Sequence, residues 1–128
     1  MAVPATFRHI LLVSALIEIG AGLILLATPS SAIALVFGSS GNTDAAVGRI
    51  AGAALLSLGT ACWWARHDRG GPASRGLVRA LLIYNVAIVT LVTSASLGPP
   101  GALLWAIAML HAGLTLWCVW ALRSAVAD

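Results

Sequence analysis

The sequence predicts an all-α integral membrane protein, a four-helix bundle with both termini in the cytoplasm, and three observations lead there. Composition is the first. Of 128 residues, 60% are hydrophobic and only 9% are charged, and mean hydropathy is +1.00. Soluble domains carry about 25% charged residues, so this chain has too little charge to cover a water-facing surface. Spacing is the second. Four apolar stretches are each long enough to cross about 30 Å of hydrocarbon at 1.5 Å per residue. Apolar residues lie all around them with no two-residue alternation, which excludes a β-barrel. Charge placement is the third: all seven basic residues are Arg, and six cluster on one side of the predicted spans.

The first span is expected over residues 9–28. Arg8 precedes it as in a signal peptide, but the apolar stretch is longer than a usual leader core and lacks a convincing small-residue cleavage site. Pro29 then restricts Thr28 and ends the helix. Ser30 or Ser31 is placed to cap a short helix at about 30–37, too short to span, which is read as lying at the outer interface until Gly38 and Gly41. The second span is expected over 45–65. The loop that follows, ARHDRGGPASRG, carries Arg66, Arg69 and Arg75, with Arg79 just beyond. The third span is placed at 77–97 and the fourth at 102–122, joined by the helix-breaking turn Gly98-Pro99-Pro100-Gly101.

Arg8, Arg66, Arg69, Arg75, Arg79 and Arg123 thus share one side, while Arg49 is the only basic residue near the other. The positive-inside rule makes the arginine-rich side cytoplasmic. Trp63, Trp64, Trp117 and Trp120 fall at that same interface and Trp105 at the opposite one, as amphipathic rings do at headgroup depth. Residues 1–128 form one multi-pass domain. Abundant Ala, Gly and Arg with no Lys point to a GC-rich bacterial genome and hence a bacterial inner membrane. The net charge of +3 sets topology in this pattern, so no nucleic-acid partner is expected. Cys62 and Cys118 have neither CxxC nor zinc-type spacing and are read as core-filling side chains.

Polar residues inside the spans carry the functional expectation. Glu18 stands halfway along the first span, His111 halfway along the fourth, Tyr84 and Asn85 near the middle of the third, and Arg49 one turn inside the second. A charged group at the bilayer centre costs about 2.5–3.5 kcal/mol on the mild insertion scale, so such groups face the interior and mark sites by default. Arg49 is the expected partner of Glu18. An unpaired Glu18 would instead serve as a neutral hydrogen-bond donor. Ser14, Glu18 and Gly22 share one face, and His111, Thr115 and Cys118 another. Together these residues imply a polar strip that either holds the helices together or binds a ligand.

No cofactor is expected. His9 and His111 differ by about 14 Å in depth, too far apart to share a haem iron, and His67 lies in a loop. No metal cluster, phosphate loop or Ser–His–Asp arrangement is visible. Gly48 and Gly52 form a GxxxG pair, with Gly59 near the same face and Gly20 and Gly22 on the first span. These predict close packing of spans one and two, or a homo-oligomer through Gly48 and Gly52.

The residues IEIGAGLILLATP, then LVFG, then VGRIAGAALLSLGTACWWAR resemble the small four-helix membrane proteins of the DoxX-like kind and related bacterial families. The resemblance spans about residues 10–66 and rests on Glu18, Pro29, Gly38, Arg49, Gly52 and Gly59. It implies a four-helix bundle and, in some relatives, a subunit linked to quinone or thiol redox chemistry. The residues themselves lead to an intramembrane pocket for an apolar small molecule. Glu18 and His111 are its acid–base pair, and Arg49, Asn85, Tyr84, Ser14 and Thr115 its binding residues. Isomerisation, cyclisation or epoxide opening needs no more than positioned acid and base groups. Two other classes stay open: a non-enzymatic accessory subunit of a membrane complex and a small oligomeric transporter.

Overall fold

A computed structural model describes residues 3–37, 45–95 and 102–126. They form five helices and no strand: α1 (Val3–Ala27), α2 (Pro29–Phe37), α3 (Ala45–Ala65), α4 (Pro72–Ala95) and α5 (Ala102–Ser124). All but α2 are long and apolar enough to cross a membrane. The Gly98–Gly101 turn and the expected stops at Gly38 and Gly41 lie outside the described residues.

Two helices begin earlier than the hydropathy pattern places them. The extra N-terminal turns of α1 carry Thr6 and Phe7, which are buried with Ile10 and Leu11, while Arg8 and His9 point outward. Packing thus extends this helix past its apolar run. In α4 the start moves from residue 77 to Pro72. Proline suits the first helical position, where its missing N–H costs nothing. Asp68 supplies the cap, its Oδ2 accepting the Ser74 amide at 3.0 Å, and Ser74 Oγ donates to Gly71 O at 3.1 Å. The connection from α3 shrinks to residues 66–71. It reverses through Arg69 (φ 45°) and Gly70 (φ 88°), a conformation natural for Gly and unusual for Arg.

Between α1 and α2 the break is a single residue. Thr28 N and Oγ1 both donate to Ile24 O, at 2.8 and 3.2 Å, while Thr28 O accepts from Ala32 N. Pro29 takes the first helical position and Ser30 and Ser31 are exposed within α2. The turn therefore forms without a serine cap.

The helices pack as two antiparallel pairs, α1 with α3 and α4 with α5. In the first pair the contact is backbone on backbone. A Cβ added to Gly22 would stand 2.8 Å from Gly52 O, one on Gly52 2.9 Å from Leu26 N, and one on Gly59 2.8 Å from Ile19 N. Only glycine permits this approach, the close backbone contact that small residues allow between apolar helices. Gly48 serves another neighbour, Pro29 of α2. Gly48, Gly52 and Gly59 are all buried within one chain. Within one chain, the face of α3 that carries Gly48 and Gly52 is covered by α1 and α2. Gly20, in contrast, has nothing within 4 Å of where a Cβ would stand.

Apolar side chains form two clusters. One joins Phe7, Ile10, Leu11 and Ala15 to Cys62, Val78, Leu81, Cys118 and Ala121. The other joins Val92, Leu104 and Ala108, with Val36 of α2 against them. By chain position the first lies toward the end that gathers Arg8, Arg66, Arg69, Arg75, Arg79 and Arg123. Asn85 and His111 fall between the two clusters along their helices, and Glu18 lies just beyond Ala15 of the first.

Candidate functional site

Three helices supply this polar layer. Glu18 comes from α1 and is 2% exposed; Asn85 from α4 is buried, and His111 from α5 is 7% exposed. Tyr84 of α4 is half-buried.

The hydrogen bonds define the state of each group. Asn85 Nδ2 donates to Leu81 O at 2.7 Å, one turn back along its own helix. That bond sets the amide orientation, so Oδ1 is the atom 2.6 Å from His111 Nδ1. A carbonyl oxygen only accepts, so Nδ1 carries the proton and a neutral ring keeps its lone pair on Nε2. No hydrogen bond to Nε2 occurs among the described residues. Tyr84 Oη donates to Glu18 Oε2 at 3.4 Å, longer than the usual 2.5–3.0 Å for this donor type. Glu18 Oε1 takes no hydrogen bond among the described residues. The Tyr84 ring meets the His111 ring edge to face, with centroids 5.7 Å apart, so Tyr84 touches both the carboxyl group and the imidazole.

Ser14 lies one turn from Glu18. Its Oγ is buried and has no hydrogen-bond partner among the described residues, a condition rare in native interiors. Thr115 donates to His111 O at 2.8 Å and lines an apolar groove of about 520 Å³ between α4 and α5, with Val89, Thr90 and Ala112. A larger groove, about 710 Å³, runs between α1 and α2 along Ala21, Leu25, Ile33 and Val36. Ser14, Glu18, Ala21 and Leu25 follow i, i+4, i+7, i+11 spacing and share one stripe of α1. The groove therefore continues the face that carries Ser14 and Glu18.

Arg49 does not join the layer. It is exposed on α3, and no ion pair between it and Glu18 occurs among the described residues. Phase and depth both explain this. Gly48, Gly52 and Gly59 are the buried stripe of α3, and the next residue after Gly48 is turned about 100° away from it. Gly59 packs on Ile19, beside Glu18, which leaves Arg49 about 15 Å away along the helix axis. Tyr84 takes the place expected of Arg49, and Asn85 partners His111. Both residues are expected from the sequence at this depth, but their pairings depend on how α4 is rotated, which spacing does not reveal.

No family model, curated protein or solved structure matches this chain. What the chain does is read from its own residues.

Proposed function

We propose that this protein is a multi-pass four-helix bundle of a bacterial inner membrane, with both termini cytoplasmic, and that its intramembrane layer is an acid–base site for an apolar small molecule. The orientation rests on the six arginines gathered at one end. The site rests on one observation above all: Ser14 Oγ is buried without a hydrogen-bond partner among the described residues, one turn from Glu18, and Glu18 Oε1 and His111 Nε2 take no hydrogen bond among those residues either. An unsatisfied buried polar group such as Ser14 Oγ costs about 1–3 kcal/mol. A layer kept only for packing would be more stable with Ala and Leu. A ligand with a polar end would satisfy these atoms, and the groove along Ala21 and Leu25 suits its apolar part.

The groups suit proton transfer. Glu18 in its acid form gives a proton to a substrate oxygen or alkene carbon. His111 Nε2 removes one from a neighbouring carbon or an attacking hydroxyl. Tyr84 holds the carboxyl group and tightens on it once substrate is seated, as long hydrogen bonds in ligand-free sites do. One proton enters and one leaves, so the net reaction is isomerisation, cyclisation or epoxide opening, with no cofactor required.

The test is untargeted lipid profiling of membranes incubated with purified protein, comparing the parent with Glu18→Gln and His111→Ala. Glu18→Gln keeps the hydrogen-bonding shape but transfers no proton. Loss of the same product in both variants, with unchanged thermal unfolding for His111→Ala, supports the site. Retained binding without any product in the parent indicates a binding protein or accessory subunit. Parent-like behaviour of both variants assigns the layer to structure alone.

A further inference from the structure

At the arginine-rich end, the last turns of α3 and the first turns of α4 leave an open groove of about 940 Å³ between them. Ala61 and Trp64 form one wall and Ala73, Gly76 and Leu77 the other. A Cβ on Gly76 would meet nothing within 4 Å, so the space reaches the α4 backbone. Trp64 is 72% exposed and offers its indole to whatever lies there.

The charge around this groove is one-sided. Arg66, Arg69, Arg75 and Arg79 stand against Asp68 alone, and the Asp68 carboxylate is already engaged by the Ser74 amide at the start of α4. Arg66 is committed to Trp63, lying over its ring and donating to its carbonyl. Arg75 Nε donates to Gly70 O at 2.7 Å. Arg69 and Arg79 are exposed and make no ion pair among the described residues. Arg79 follows Gly76 at i+3, on the neighbouring ridge of α4. Its long side chain can run back along the helix to headgroup depth. Asp68 is the one charged residue that lines the groove; Arg69 is its chain neighbour and Arg79 lies three residues beyond Gly76, and guanidinium binds phosphate through two parallel hydrogen bonds.

We propose that this groove is a binding site for an anionic phospholipid. The phosphate lies at Arg69 and Arg79, and one acyl chain runs between Trp64 and Gly76. The site is separate from the Glu18 layer and does not depend on its role.

The experiment is native mass spectrometry of the full chain, titrated with phosphatidylglycerol or with phosphatidylcholine of the same acyl chains. The expected preference for phosphatidylglycerol is about tenfold, and the double variant Arg69→Gln/Arg79→Gln loses affinity by about fivefold for each arginine. Gly76→Leu fills the slot at a position with free space, where leucine favours the helix. It should weaken binding of both lipids while leaving thermal unfolding unchanged. Inorganic phosphate in excess should not compete. Equal binding of the two lipids, parent-like binding by Gly76→Leu, or displacement by inorganic phosphate would each overturn the proposal.

Discussion

Adding one methyl group to Gly52 tests whether α1 and α3 truly meet backbone to backbone. The Cβ of Gly52→Ala would lie 2.9 Å from both Gly22 O and Leu26 N, and 3.0 Å from Leu25 Cβ. Two of these are backbone atoms, which have no rotamer to yield. Ordinary contact begins at 3.4 Å, so the helices must part by about 0.5 Å, a gap that already forfeits about a quarter of the dispersion attraction of the atoms involved. Overpacking of this kind costs about 1–3 kcal/mol. The smaller entropy loss of Ala returns about 0.4–1 kcal/mol. The net expectation is a loss of about 1–2 kcal/mol. Gly20→Ala and Gly113→Ala are matched controls, since neither Cβ would meet anything within 4 Å; only the entropic gain applies there. Denaturant titration in mixed micelles should therefore separate Gly52→Ala from Gly20→Ala by about 2 kcal/mol. Equal stability of the two would mean that the α1–α3 contact is not made as described.

Further expectations follow from other contacts. Arg49→Ala and Glu18→Gln should be additive in stability to within about 0.3–0.5 kcal/mol, because the two side chains do not meet; a larger coupling in a double-mutant cycle would restore the ion pair. Removing the cap with Asp68→Ala should cost about 0.5–2 kcal/mol, and hydrogen exchange should show the loss confined to the first turn of α4; uniform loosening would count against a local cap. Cys62 and Cys118 are fully buried, so single cysteines introduced at exposed positions can report topology on the parent background. A membrane-impermeant thiol reagent added outside the cell should modify Ser94→Cys and spare Arg69→Cys, and the opposite pattern would invert the proposed orientation. Asn85→Ala removes the acceptor for His111 Nδ1, and the ring should then sample both tautomers in nitrogen NMR; an unchanged single tautomer would show that another group holds it.

Much of this architecture can be read from residue order. The four long helices follow from apolar length, and the single arginine-rich end follows from counting Arg along alternating spans. The helix ends were less legible. Pro72 and Asp68 start α4 inside a loop that composition marks as polar, because a cap and a fixed φ outweigh hydropathy at a helix terminus. The glycine stripe of α3 was visible as spacing, and it held a further signal: with Gly48 on the buried face, Arg49 has to point elsewhere.

Composition and spacing alone determined that the chain is helical, that four of its helices are long and apolar enough to cross a membrane, and that Glu18, Tyr84, Asn85 and His111 fall near the middle of their helices. Those properties are additive along the chain or set by the 1.5 Å rise, so residue order carries them. Tertiary packing decided the pairings. The carboxyl group of Glu18 meets Tyr84 rather than Arg49, and His111 is held by Asn85, because the backbone contact at Gly22, Gly52 and Gly59 sets the rotation of α1 against α3 and the two apolar clusters set that of α4 and α5. Helix rotation is a property of the whole packed set, and a turn of about 100° moves a side chain from the interior to the outer surface without changing its height along the helix.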